Sequence, residues 1–200
     1  MEQETLAETV HRWTGRRVLV LGDALLDGWL TGQPGRLCRE APVAVLDLEG
    51  SRYAPGGAAN TAMNLAALGA QVELVAATGE DTAADLLRDG LAGAGVAARL
   101  VRVPGRRTVT KRRLLAGEQI VARFDEGDSA ALPGPAGDLL LAEVEAALGA
   151  GTDAVVVCDY ACGTLPDQLV ALLVRYRAEA GLLAVDAYQP AGGPPPGRTW

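Results

Sequence analysis

Three short stretches concentrate the chemistry this chain can offer. Pro55-Gly56-Gly57-Ala58-Ala59-Asn60 runs directly into an Ala-, Met- and Leu-rich pattern that predicts a helix over 60–68. Small residues at a helix N-terminus leave backbone amides open to a ligand, and the Asn60 carboxamide can both donate to and accept from a hydroxyl. That combination suits a sugar better than a bare phosphate; the plain alternative is an ordinary turn with Asn60 in water. Asp23 and Asp27 flank the end of an apolar run. A carboxylate there accepts two hydroxyl hydrogen bonds from a polyol, or else caps a turn, and for Asp27 the site reading is favoured. Paired carboxylates also suit glycosidase chemistry, although nothing in the spacing sets their separation.

The third stretch is basic: Arg102, Arg106, Arg107, Lys111, Arg112 and Arg113, where Lys111 is the single lysine among 18 basic residues. A charge run is either a solvated face or a phosphate patch. If 108–115 forms a strand, alternation puts Lys111 and Arg113 on one face and Arg112 on the other. Opposite a sugar pocket, Lys as a point charge and Arg as a fork would hold a substrate phosphate.

Composition removes other chemistries. The chain has 200 residues, a net charge of −7 and 4% aromatics, which argues against a polyanion binder or a base-stacking platform. One histidine, His11, excludes multi-histidine metal sites. Cys38, Cys158 and Cys162 do not make a disulfide framework, which fits a reducing, cytoplasmic setting, as does the acidic start Met1-Glu2-Gln3-Glu4. Hydrophobic residues are 49%, yet no apolar run approaches the roughly 18 residues of a membrane helix. No Walker A or Gly-x-Ser-x-Gly sequence occurs. Gly93-x-Gly95-x-x-Ala98 and Gly149-x-Gly151-x-x-Ala154 follow predicted helices and read as αβ turns, not dinucleotide fingerprints.

The elements that must position these residues read as α/β. Arg17–Asp23 is a branched run of the kind found in parallel strands buried on both faces, and Val72–Ala77, Ala154–Cys158 and Leu182–Val185 match it. Helical patterns alternate with them over 60–68, 81–91 and 136–148, and a further helix opens at Pro166. Such alternation implies a mainly parallel sheet. Two strand-like segments, 29–54 and 104–125, break the pattern and read as a small β-lid beside the carboxyl ends of the core strands. Residues 1–15 form an N-terminal helical extension, 16–188 the core with its lid, and 189–200 a Pro/Gly-rich tail.

With these residues in order, the chain resembles the ribokinase-like (PfkB) carbohydrate kinases, and within them the heptose-7-phosphate kinase domain of ADP-heptose synthesis enzymes. The resemblance runs through Val18-Leu19-Val20-Leu21-Gly22-Asp23 with Leu26-Asp27, Glu40-Ala41-Pro42-Val43, and Pro55-Gly56-Gly57-Ala58-Ala59-Asn60. It continues through Gly79-Glu80-Asp81, Thr108-Val109-Thr110-Lys111-Arg112-Arg113 with Gln119, Arg123 and Asp125, Asp159-Tyr160-Ala161-Cys162-Gly163 and Val185-Asp186. It implies a three-layer α/β core and a β-lid that closes the sugar site and mediates a homodimer. It also implies ATP-dependent phosphorylation of a sugar or sugar phosphate with Mg²⁺, most closely heptose 7-phosphate at its anomeric hydroxyl. Asp27, Gly56, Gly57 and Asn60 would hold sugar hydroxyls; Lys111 and Arg113 would contact the substrate phosphate or position the lid. Nucleic acid and membrane are not expected partners.

The departures are specific. Cys162 and Ala187-Tyr188 stand where the heptose-kinase pattern carries Lys and Pro-Lys, and neither Asn-x-x-Glu nor Gly-Ala-Gly-Asp occurs. In the family the latter supplies an anion hole and the general base, so the expectation is a C-terminally incomplete domain that binds sugar and is inactive alone. The alternative is a non-catalytic sugar-phosphate-binding or dimerisation protein derived from such a kinase.

Overall fold

The computed structural model describes residues 5–178 and 181–188. Its centre is β1 (Arg17–Gly22), which lies between β4 (Gln71–Thr78) and β8 (Ala154–Asp159), parallel to both. With β5 (Ala97–Arg102) and β9 (Leu182–Ala187) these make a five-stranded, wholly parallel sheet in the order β5-β4-β1-β8-β9. A strand hydrogen-bonded on both sides and covered on both faces must be apolar at every position, which is why β1 reads Val-Leu-Val-Leu. Val18 and Val20 pack with Ala58, Ala62, Leu87 and Leu91 of α2 (Ala58–Ala67) and α3 (Thr82–Gly93). Leu19 and Leu21 pack on the other side with Leu140 and Val144 of α4 (Gly134–Gly149) and Leu169 and Leu173 of α5 (Gln168–Ala178). Burying each such leucine stabilises the fold by about 1.5–3 kcal/mol. The result is the three-layer ribokinase-like α/β architecture expected from the sequence.

The strand β5 was not legible: Ala97-Ala98-Arg99-Leu100-Val101-Arg102 lies at the sheet edge, where Val101 alone is buried. An edge strand needs no continuous apolar run. The helix expected from Pro166 begins at Gln168, with the carbonyls of Pro166 and Asp167 accepting from Leu169 and Val170 in a first turn. Of the extension over 1–15, only α1 (Leu6–His11) is helical among the described residues, closed by a reciprocal Thr5–Glu8 capping box. The tail 189–200 lies outside the described residues.

The lid is a four-stranded mixed sheet in the order β3-β2-β6-β7. Here β2 (Ala24–Leu37) pairs antiparallel with β3 (Ala44–Gly57) and parallel with β6 (Thr110–Ala116), which pairs antiparallel with β7 (Gln119–Glu126). The expected lid limits of 29–54 and 104–125 are therefore corrected. The β2–β3 ladder continues down to Ala24↔Gly57, while residues ahead of Thr110 form a turn in which Gly105 takes a positive φ of 74°. The shift matters because Asp27 becomes a residue of a lid strand, not of a loop following β1. Among the described residues no helix is long and apolar enough to cross a membrane.

Candidate functional site at the carboxyl ends of the core strands

Strand alternation and register decide which lid side chains meet. Asp27 pairs with Lys111 and Trp29 with Arg113 across β2–β6; Lys111 pairs with Asp125 and Arg113 with Arg123 across β6–β7; Trp29 pairs with Arg52 on β3. Directly paired residues share a face, so these seven line one side of the lid. Arg112 points the other way, where a Cβ on Gly28 would meet its Cγ at 3.2 Å and where Arg112 reaches Glu126 at 3.1 Å. The shared face carries Arg52, Lys111, Arg113 and Arg123 against Asp27 and Asp125, an excess of positive charge in a chain that is acidic overall.

Within that face, Arg113 Nη1 donates to Asp27 Oδ1 at 2.7 Å, with both side chains roughly three-quarters buried (25% and 22% exposed). The Arg113 guanidinium lies 5.3 Å from the Trp29 ring centroid, and that of Arg52 lies 4.2 Å from it. Arg123 forks onto Asp125 through bonds of 2.8 and 2.6 Å. That bond first, and then the charges of Arg123, Lys111 and Arg113, hold the Asp125 carboxyl below its usual range against the opposing effect of burial. Lys111 makes no ion pair among the described residues.

The Gly-Gly-Ala-Ala-Asn stretch adjoins the Asp27 end of this face. β3 ends at Gly57 and α2 begins at Ala58, so the chain passes from strand to helix with no loop. Gly57 holds φ +58°, and a Cβ there would overlap the Asp23 carbonyl oxygen, so glycine is required. A Cβ on Gly56 would overlap Asp27 Oδ2, which places the Gly56 backbone directly against the carboxylate. Asn60, in the first turn of α2, is exposed.

Asp23 does something else. It is 1% exposed and accepts the backbone amides of Tyr160 (2.8 Å), Cys162 (3.0 Å) and Thr164 (3.2 Å). Its oxygens are committed to the loop after β8, in which Ala161 adopts a left-handed φ of 59°. Three amide donors on one carboxylate leave Asp23 no role as a paired acid or base with Asp27, and the turn-capping reading of Asp23 holds. In the same loop the Cys162 thiol is pushed up to about 11 by burial and the Asp23 charge, with Lys111 and Arg106 pulling the other way. Tyr160 donates its phenol to Asp186 at 2.7 Å, and burial followed by that bond raises its pKa.

The lid is tied to the core through Asp81. Its Oδ1 caps α3 at the Ala84 amide (2.9 Å) and accepts the Thr108 hydroxyl (2.7 Å); its Oδ2 accepts the Thr108 amide (2.8 Å). Arg106 donates to the carbonyls of Ala130 and Cys162, both at 2.8 Å. Gly95 and Gly151, with φ of 74° and 87°, end α3 and α4 as the αβ turns that the sequence suggested. A groove lined by Arg17, Gln71, Glu73 and Gly151 lies at the opposite, amino ends of the core strands. Ligands of open parallel sheets bind at the carboxyl ends, where the lid constellation stands.

The structure brings Asp27, Gly56, Lys111 and Arg113 together, with Gly57 and Asn60 at the adjoining helix start. Sequence reasoning missed Trp29 and Arg52. The available signal was the period-two placement of Trp29 after Asp27. Asp81 and Thr108 stood only as parts of a motif, without a role. Among the described residues no group of three His, Cys, Asp or Glu side chains is placed to hold a metal ion.

A mainly parallel α/β core that carries a second, mixed β-sheet is the architecture shared with ribokinase-like carbohydrate kinases. The chain belongs to the pfkB family of carbohydrate kinases, which matches it over residues 17–191. It is 43% identical over 166 residues to the bifunctional protein HldE of Alkalilimnicola ehrlichii, covering 83% of this chain and 34% of that protein. It is 42% identical over 167 residues to HldE of Klebsiella pneumoniae, covering 82% and 34%. Among solved structures, a carbohydrate kinase from Agrobacterium tumefaciens superposes with a TM-score of 0.64 at 27% identity, covering 88% of this chain and 55% of that one. Arabidopsis thaliana ribokinase complexed with ribose and ATP shares the fold at a TM-score of 0.58 and 19% identity, covering 90% and 55%. The chain therefore spans about a third of the length of these curated relatives and just over half that of these solved structures.

Proposed function

We propose that this chain is the acceptor-binding part and lid of an ATP-dependent sugar kinase whose acceptor is a sugar phosphate, with heptose 7-phosphate the first candidate. The observation that supports it best is the one lid face that sets the Asp27 carboxylate beside Arg113 and Lys111, the latter without an ion pair among the described residues. A carboxylate takes sugar hydroxyls, and an Arg fork with a Lys point charge takes a phosphate. Gly56 and Gly57 let the sugar approach the backbone, and Asn60 supplies a hydroxyl partner at the start of α2. The 42–43% identity to HldE proteins supports the heptose phosphate in preference to an unphosphorylated sugar.

ATP and Mg²⁺ belong to this reading through the family. Among the described residues no group of three His, Cys, Asp or Glu side chains is placed to hold a metal ion, and the buried Asp23 carboxylate already accepts three backbone amides, so no residue is assigned to Mg²⁺. The nucleotide site and the general base are proposed to lie outside the described residues, and no catalytic step is assigned to the described ones. The exposed edge strands of the lid, with Leu48, Ile120 and Val121 more than 48% exposed, suit a homodimer formed through the lid. The chain is proposed to work in the cytoplasm.

Calorimetry with heptose 7-phosphate, free heptose and ribose 5-phosphate tests the reading on wild type and Asp27→Ala. The expected order is heptose 7-phosphate tightest, with binding lost in the variant. Undiminished binding by Asp27→Ala refutes the assigned pocket.

A further inference from the structure

We propose that Arg113 is a two-position latch. It neutralises Asp27 while the site is empty and moves to an anionic group of the ligand, so that anion binding releases Asp27 for sugar hydroxyls. The proposal rests on the reading of Asp27 as the hydroxyl acceptor.

Three observations carry it. The first is that both oxygens of the Asp27 carboxylate have close neighbours. Its Oδ2 lies against the Gly56 backbone, and its Oδ1 accepts from Arg113 at 2.7 Å. A sugar hydroxyl that approaches Oδ1 competes with the guanidinium for it. The second is the bed on which Arg113 lies. The Trp29 ring holds the guanidinium at 5.3 Å from its centroid, and a flat aromatic face tolerates sliding because its attraction for a cation is not tied to one hydrogen-bond direction. The third is crowding by like charge. Arg113 is paired across the sheet with Arg123, stands two residues along the strand from Lys111, which makes no ion pair among the described residues, and shares Trp29 with Arg52. An anion entering among these cations is favoured by all of them and gives Arg113 a partner other than Asp27.

Affinity for anion and for sugar hydroxyls is then coupled through one side chain. Coupling between sites is reciprocal, and one ion pair exchanged between two partners falls in the usual range of about 5- to 150-fold. Selection of a phosphorylated sugar over a free one therefore has two sources, the direct phosphate contact and the release of Asp27.

Calorimetry on the 200-residue chain with inorganic phosphate tests the latch without any sugar. In Asp27→Asn the latch is already open, and phosphate is expected to bind about 5- to 150-fold more tightly than to wild type. The double-mutant cycle with Arg113→Gln separates a latch from a simple field effect. The gain from Asp27→Asn disappears in the Arg113→Gln background if the latch operates and persists if Asp27 merely repels the anion. Persistence, the absence of any gain, or the absence of phosphate binding by wild type overturns the proposal. Arg113→Met, which removes the charge and keeps a long apolar stem against Trp29, gives the same cycle should Arg113→Gln not fold. In a second arm, saturating phosphate is expected to tighten free heptose binding to wild type and to leave Arg113→Gln unaffected. Heptose binding without coupling refutes the latch and leaves the sugar reading standing. No binding of heptose or heptose 7-phosphate, with the phosphate cycle as expected, refutes the sugar reading and leaves an anion switch.

Discussion

The carboxylate of Asp23 and the backbone amide of Cys162 are 3.0 Å apart, although the residues lie 139 positions apart in the chain. Through this bond and those from Tyr160 and Thr164, the end of β1 dictates the path of the loop after β8. Asp23→Ala leaves two buried amides and one half-buried amide without an acceptor, and each unsatisfied group costs about 1–3 kcal/mol. The expected loss is about 3 kcal/mol or more, read as a lower urea midpoint at unchanged m-value. A loss within 0.5 kcal/mol, on the order expected at an ordinary surface position, would contradict the role assigned to Asp23.

The close approach of Gly56 to Asp27 predicts an effect on binding out of proportion to the size of a methyl group. Gly56→Ala is expected to displace the carboxylate and weaken sugar-phosphate binding by about 10- to 100-fold. Overpacking also costs about 1–3 kcal/mol of stability. Gly50→Ala, where an added Cβ meets nothing within 4 Å, is the matched control on the same strand. Equal ligand affinity in the two variants would count against the placement of Asp27.

Asp81 makes the tie between the lid and the core sensitive to acid. Burial raises its pKa, but the hydrogen bonds from the Thr108 amide and hydroxyl and the Ala84 amide outweigh burial and hold it below its ordinary 3.8. A carboxyl depressed in the folded state contributes stability that is present above its ordinary value and lost as pH falls through the depressed one. Between about pH 5 and pH 3, wild type should therefore lose more stability than Asp81→Asn, measured by urea unfolding. Part of the acid dependence remains in the variant, since Asp125 and Asp128 are depressed as well. Thr108→Val should cost about 1–2 kcal/mol at pH 7 and reduce the same acid dependence.

Thiol reactivity reports on the β8 loop. Burial is the main cause that raises the pKa of both Cys158 and Cys162, the latter to about 11, so both stay protonated and covered at pH 8. Cys38 is only partly buried. A thiol-exchange assay at pH 8 is expected to show one fast thiol, abolished by Cys38→Ser, and two that react only on unfolding. Fast labelling of Cys162 would show that the loop opens in the native state.

The core layers were legible because each obeys a short-range rule. The apolar run of β1 is what burial on both faces demands, and the apolar spacing of Leu169, Leu172 and Leu173 predicts α5 whatever it packs against. The elements that escaped were those whose reason lies elsewhere in the chain. β5 is a strand because β4 offers it hydrogen bonds, and β2 begins at Ala24 because Gly57 lies opposite, 33 positions later. Trp29 and Arg52 joined the candidate site only when the β2–β3 register set them side by side.

The same division holds for the site. The sequence by itself determined the residue types: a carboxylate near the end of the first strand, a Gly-Gly-Ala-Ala-Asn helix start, and a single lysine alternating with arginine on one prospective strand. Only the tertiary structure decided that Asp23 is spent on three amides while Asp27, four residues on, faces Arg113. Two aspartates so close in the chain are chemically equivalent until the fold gives them different partners. Those partners come from β6 and from the loop after β8, at distances along the chain that no local pattern encodes.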